Sequence, residues 1–219
     1  MSWAETMKIN NNVKKTLNEQ IREARFLPLR LLTYSDTFTP EKTGIYKVIC
    51  VGAGGSGQAN GTYVGGGGGG GVAIKTLKLF STMRYEVTVS ENTASFAYDD
   101  TAITATSGES ATTSASNFAG GTAYGGDFNY SGTQGIGRVT ASGRIPMSGS
   151  VGVFISELTM SKSTTVTVDG NVVEMPYGDG ILGYGGGGTG IRYGSNSSQS
   201  KELPGQSPVV IIIPLEMEE

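Results

Sequence analysis

Histidine is absent from this 219-residue sequence, and cysteine occurs once. Without histidine the commonest general base and metal ligand are missing, so any catalysis would rest on carboxylates, Tyr, Lys or Ser. A single cysteine, Cys50, rules out an intrachain disulfide, and its position in the run Tyr46-Lys47-Val48-Ile49-Cys50-Val51 predicts a buried structural thiol. Charge is also scarce, at 16% of residues with a net −3. The 16 Lys and Arg form no basic stripe, which argues against nucleic-acid binding. The longest apolar run, Val209 to Ile213, falls far short of the roughly 20 residues of a membrane helix. The opening Met1-Ser2-Trp3-Ala4-Glu5 has no apolar signal region, so the expectation is a chain made in the cytoplasm, with neither secretion signal nor membrane insertion. A phosphate loop, paired cysteines and an EF-hand loop are all missing, and neither cofactor nor metal is expected.

What the sequence has in excess is glycine, 35 residues of 219. Long helices cannot dominate such a chain, because each helical Gly costs about 1 kcal/mol relative to Ala. Residues 1 to about 25 are the exception: they hold no glycine and place Val13, Leu17 and Ile21 at helical spacing. This predicts a short amphipathic N-terminal helix, too short to stand alone, that packs on its own domain or serves oligomerisation and attachment. Phe26-Leu27-Pro28-Leu29-Arg30-Leu31-Leu32 reads as an extended connector, giving an attachment segment 1–33 and a glycine-rich β domain 34–219. Strands are expected at Gly44 to Val51, Val72 to Leu79, Arg84 to Ser90, Ala102 to Thr106, Val151 to Met160, Thr164 to Val168 and Val209 to Ile213. Asp169-Gly170-Asn171 supplies the positive φ angles of a tight hairpin, expected to project as a β-arm.

The glycines fall in clusters between these strands: Gly52 to Gly57, the unbroken Gly65 to Gly71, Gly120-Gly121 with Gly125-Gly126, and Gly183 to Gly190. A flexible linker would sit at a domain edge, whereas these lie in mid-domain. We therefore expect a mainly β fold containing a polyglycine-II-like bundle, with extended glycine strands joined by backbone hydrogen bonds. The entropy lost in ordering glycine requires that apolar strands or neighbouring subunits fix the bundle's ends. Gly52-Ala53-Gly54-Gly55-Ser56-Gly57 after a strand spells the G-x-G-x-x-G of a dinucleotide turn, but seven glycines follow where that motif needs a helix.

Two sets of side chains stand out as candidate chemistry. Asp99-Asp100 with Glu109, and Asp127 with Asp179, are the carboxylates a polysaccharide-cleaving enzyme would need, although acids beside Gly and Thr ordinarily serve as solvated turn residues. Tyr63, Tyr98, Tyr124, Tyr130, Tyr184 and Tyr193, with Tyr177, lie in loops or glycine clusters, joined by Phe128. Rigid rings flanked by acids such as Asp99 and Asp127 suit a shallow sugar- or protein-binding surface, and the same rings could instead plug the ends of the bundle.

The order Gly44-Ile45-Tyr46-Lys47-Val48-Ile49-Cys50-Val51-Gly52-Ala53-Gly54-Gly55-Ser56-Gly57, Gly65 to Ile74, Tyr85-Glu86-Val87-Thr88-Val89, Ser95-Phe96, Ile103 to Gly108 and Gly205 to Ile212 resembles the glycine-rich domain of phage tail fibres. The opening, Ser2-Trp3-Ala4-Glu5 through Leu17-Asn18-Glu19-Gln20-Ile21, is similar to prophage tail-fibre proteins of Gram-positive bacteria. Residues 138–175 fit neither pattern and read as an insertion. The resemblance implies a non-catalytic subunit of a virion tail or a tail-like bacteriocin particle, often a homotrimer. It would be held by other tail or baseplate proteins and bind a bacterial cell-surface molecule as an adhesin. A structural tail or baseplate connector without receptor binding is the alternative.

Overall fold

The computed structural model describes residues 29–60, 63–112, 117–137, 148–153, 158–168, 171–192 and 200–218. The expected N-terminal helix with Val13, Leu17 and Ile21, together with Tyr193 and the hairpin tip at 169–170, lies outside them. The described residues are β throughout, with no helix long and apolar enough to cross a membrane.

Two five-stranded antiparallel sheets pack face to face. The first runs in the order β1 (Arg30–Leu32), β20 (Val209–Met217), β3 (Gly44–Val51), β6 (Val72–Leu79) and β12 (Phe128–Tyr130). The second is β11 (Ala123–Tyr124), β9 (Thr101–Thr106), β8 (Thr93–Tyr98), β7 (Tyr85–Ser90) and β2 (Asp36–Phe38). Residues 33–35 join the edge strands β1 and β2, and residues 125–127 join β11 and β12, so each side of the sandwich is stitched by one short crossing. Small antiparallel pairs complete the chain: β4 (Gln58–Asn60) with β5 (Tyr63–Gly65), β10 (Asn117–Phe118) with β13 (Gly135–Ile136), β14 (Thr159–Met160) with β17 (Gly180–Ile181), β15 (Ser163–Val168) with β16 (Asn171–Pro176), and β18 (Gly190–Arg192) with β19 (Ser200–Glu202).

The pleat explains why β3 and β20 are apolar without alternation. Tyr46, Val48 and Cys50 of β3, with Val210 and Ile212 of β20, face Tyr85, Val87, Ala94, Phe96, Ile103 and Ala105 of the second sheet. Ile49, Val51, Val209 and Ile211 point the other way, onto Val151 and Ile181. A strand covered on both faces reads as a continuous hydrophobic run. Cys50 is fully buried in the inter-sheet core, as expected.

Beyond the sandwich the same strands run on into the glycine bundle, which surrounds residues 66–71. Gly67 and Gly70 donate their N–H groups to Gly188 and Gly185, Gly68 and Gly71 to Glu109 and Thr106, and Gly66 and Gly69 to Ile136 and Thr133. Each neighbour is therefore met at every third residue, the period of a polyproline-II helix. The carbonyls of Gly68 and Gly71 accept from Gly55 and Gly52, that of Gly69 from Gly121, and that of Gly67 from Gly149. Six segments, around residues 52–55, 106–109, 119–121, 133–136, 149–150 and 185–188, thus enclose one central strand on all sides. The G-x-G-x-x-G stretch is one of these six and starts no helix.

The strand pattern differs from expectation in two places. Val151 to Met160 is not one strand: Val151 donates to Asp179 within the bundle, residues 151–153 join no sheet, and among the described residues of the stretch only Thr159–Met160 pairs, with Gly180–Ile181. Bundle bonds take the backbone groups that a sheet ladder would need, and Gly152 follows at once. The stretch read as an insertion likewise contributes residues 149–150 to the bundle, while β15 and β16 form the expected hairpin, with Val168 opposite Asn171. One face of that hairpin is anchored, since Met175 packs with Leu203, while Val172 is exposed. Arg30–Leu32, at the end of the expected connector, form the edge strand of the first sheet.

Candidate functional site

The bundle gives the molecule two ends. Residues 51–52, 71–72, 105–106 and 207–209 lead into the sandwich. At the opposite end, among the described residues, lie the strand pairs β4–β5, β10–β13 and β18–β19. Tyr63 sits on the first of these, half-buried in β5.

Five of the expected binding residues, Tyr98, Asp99, Tyr124, Asp127 and Phe128, fall instead on one edge of the sandwich. Tyr124 on β11 pairs with Thr104, and Phe128 on β12 pairs with Ile74, so the crossing at 125–127 carries two large rings on the rim. Tyr124 is 55% exposed and Phe128 60%. Gly125 turns the chain with φ +79, and Asn129 clamps the crossing by accepting from Gly126 N and donating to Gly126 O. Rings held on a pinned backbone present contact area with little left to freeze on binding.

A charged cluster adjoins the rings. Asp127 accepts from Thr76 N at 3.0 Å and from Lys75 Nζ at 3.3 Å, and the Lys75 ammonium lies 5.4 Å from the centre of the Tyr98 ring. The Thr76 amide, then Lys75, holds the Asp127 carboxyl below the usual carboxylate range. Tyr98 first, and then Asp127, raises Lys75 above the ordinary lysine value. Asp99, at the β8–β9 turn beyond Tyr98, has φ 48, a conformation that Asp tolerates better than most residues. Lys75 was not among the residues singled out from sequence: its neighbours, Tyr98 at the end of β8 and Asp127 on the 125–127 crossing, are remote in sequence and leave no local signal.

The other expected residues that the structure describes do not join this edge. Tyr130 and Tyr184 are half-buried against Val151, Ile181 and the outer face of the first sheet, where they close one side of the core. The other carboxylates are engaged separately: Glu109 accepts from Ala119 N at 2.9 Å, and Asp179 from Ser161 Oγ at 2.6 Å. Among the described residues no group of three His, Cys, Asp or Glu is placed to hold a metal ion.

No protein-family model matches this chain, and no curated protein matches its sequence.

Proposed function

We propose that the protein is a non-catalytic subunit of a phage tail fibre, or of a phage-tail-like particle, that binds a bacterial cell-surface molecule. The observation that carries the reading is the rigid rim bearing exposed Tyr124 and Phe128 beside the Tyr98–Lys75–Asp127 cluster. It presents aromatic area, a cation and acceptor oxygens together on a surface that needs no rearrangement to bind. The resemblance of the glycine-rich segments to tail-fibre domains supplies the setting. Weak sites repeated around a symmetric, trimeric particle would gain affinity through effective concentration.

The test is binding of labelled full-length protein to candidate host cells, competed by unlabelled protein. Tyr124→Ala combined with Phe128→Ala is expected to reduce saturable binding roughly tenfold or more, the scale of losing two aromatic anchors. Both side chains are exposed, so folding stability should stay within about 0.5 kcal/mol per substitution. No saturable binding by the folded wild type would turn the reading to the structural connector. That alternative is favoured by exposed Leu29, Leu31 and Tyr34, clustered where the chain enters the first sheet.

A further inference from the structure

The outer face of the first sheet is covered only in part. Leu31 pairs with Ile211, Ile211 with Ile49, Ile49 with Ile74 and Ile74 with Phe128, so one row of five apolar residues crosses all five strands. Residues directly opposite each other share a face of the pleat, and Ile49 and Ile211 place this row on the outer one. The middle of the row lies under Val151, Ile181 and their neighbours, and Ile49 and Ile211 are fully buried there. The β1 end is not, for Leu31 is 44% exposed.

One row further from the bundle the cover thins. Arg30 pairs with Ile212, which brings Leu29 level with Ile213, and Ile213 pairs with Lys47. Leu29 is 39% exposed, while Ile213 and Ile45, the latter on the same face of β3, are half-buried. Leu29, Leu31, Ile213 and Ile45, with Lys47 between them, thus form an apolar patch over β1, β20 and β3 that is about 10 Å across, two strand spacings.

The chain enters at this patch, since Leu29 is the first of the described residues. The residues before it hold the stripe Val13, Leu17 and Ile21, which is too short to stand alone in water and needs a surface. Only four residues lead from Arg25 to Leu29, a reach of at most about 14 Å. The stripe therefore begins within range of the patch, whose width matches the roughly 10 Å of a helix. A tether that short holds the stripe at an effective concentration on the millimolar scale. A second copy or another protein at micromolar concentration competes poorly with it.

We propose that the Val13–Leu17–Ile21 stripe of the N-terminal segment seats on this patch of its own β domain. Apolar side chains from both partners then leave water together. The inference goes beyond the adhesin reading and does not rest on it, and it takes Leu29 and Leu31 from the surface that a connector could use.

The test is hydrogen exchange of the full-length protein read by mass spectrometry, with light scattering at the same concentrations. The protein should scatter as a monomer at micromolar concentration while amides of residues 9–25 exchange far more slowly than in an isolated peptide of that length. Leu31→Glu replaces an exposed leucine by a charge in the patch. Protection of residues 9–25 should then fall roughly tenfold or more, while amides of Gly44–Val51 and Val72–Leu79 keep theirs. Leu29→Glu, just before the first strand, should do the same and decides the outcome if Leu31→Glu unfolds the sandwich. Residues 9–25 unprotected in the wild type, or protection unmoved by these substitutions, overturns the proposal. Protection that is lost on dilution together with an oligomer seen by scattering overturns it too, because the stripe would then pack on copies of itself.

Discussion

Alanine at Gly70 tests the enclosed strand directly. A Cβ added there would stand 2.5 Å from the Gly52 carbonyl carbon, closer still to its oxygen, and 2.9 Å from Ala53 O. All three atoms are backbone, and ordinary carbon–oxygen contacts lie at about 3.3–3.6 Å. No rotamer change can relieve the clash, so residues 52–53 or 70 must move by something near an ångström. Overpacking of that kind costs about 1–3 kcal/mol by itself. Movement also strains the Gly70 N–H bond to Gly185 O at 2.7 Å and the flanking bonds from Gly52 to Gly71 O and Gly55 to Gly68 O, each worth about 1 kcal/mol. The more restricted unfolded chain of the alanine variant returns about 0.4–1 kcal/mol. The expected net loss is about 4 kcal/mol, a large share of the about 5–15 kcal/mol that stabilises an ordinary domain. Gly183→Ala is the control: its Cβ would meet only Lys162 Cδ at 3.9 Å, so the cost there is the φ of +81, about 1–2 kcal/mol. The assay is equilibrium guanidinium unfolding followed by far-ultraviolet circular dichroism at one fixed protein concentration, since assembly would shift the midpoint by mass action. A Gly70→Ala variant within about 1 kcal/mol of wild type, or less destabilised than Gly183→Ala, would refute the enclosed bundle.

Two further outcomes follow from buried and paired groups. Burial pushes the Cys50 thiol up and leaves almost no thiolate, so it should resist a thiol-reactive disulfide reagent in native buffer and react once guanidinium opens the sandwich; rapid native labelling would contradict the inter-sheet core. Asp127, whose carboxyl is lowered by the Thr76 amide and then Lys75, contributes stability that is present above its unfolded pKa and lost as pH falls through its folded one. Lys75, raised by Tyr98 and then Asp127, contributes stability present below its unfolded pKa and lost as pH rises through its folded one. Asp127→Asn should therefore flatten the acid limb of a stability-against-pH curve and lower the alkaline onset, changing little between; an unchanged acid limb would show that this exposed cluster is screened by solvent.

The sandwich was legible where a strand's pattern is set by its own burial. Gly44–Val51 and Val72–Leu79 match the expected bounds at both ends because their β-branched runs stop at glycine or at a turn. Thr93–Tyr98 escaped notice as a strand because the alternation of Ala94 and Phe96 with Thr, Ser and Ala is short and only partly apolar. Phe128–Tyr130 is an edge strand three residues long, with Phe128 turned outward, and its pairing with Val72–Ile74 spans more than fifty residues of sequence. The same distance hid the site. Tyr98 and Asp127 were each recognisable as loop chemistry, yet their convergence on Lys75 requires the two sheets to pack face to face. Gln206 carried no signal, since a buried amide nitrogen without an acceptor exists only once the fold has buried it.

The distribution of side chains within the bundle follows from how many sides of each strand are covered. Residues 66–71 have neighbours in six directions, and there the sequence is glycine without interruption. Segments on the rim have an open side, and a three-residue period brings that side round once per turn. Strand 119–122 accordingly departs from glycine at the exposed Ala119 and Thr122, three residues apart; strand 52–57 departs at Ser56, which is half-buried, and at Ala53, which is buried but small. The glycine content is thus a record of enclosure rather than of flexibility. It also separates two jobs: the bundle is held by backbone bonds that carry no side-chain information, so residues in the connections at its ends can vary without repacking a core. The sandwich pins the strands at one end through Val51, Val72, Thr106 and Val209, which offsets the entropy that ordered glycine loses.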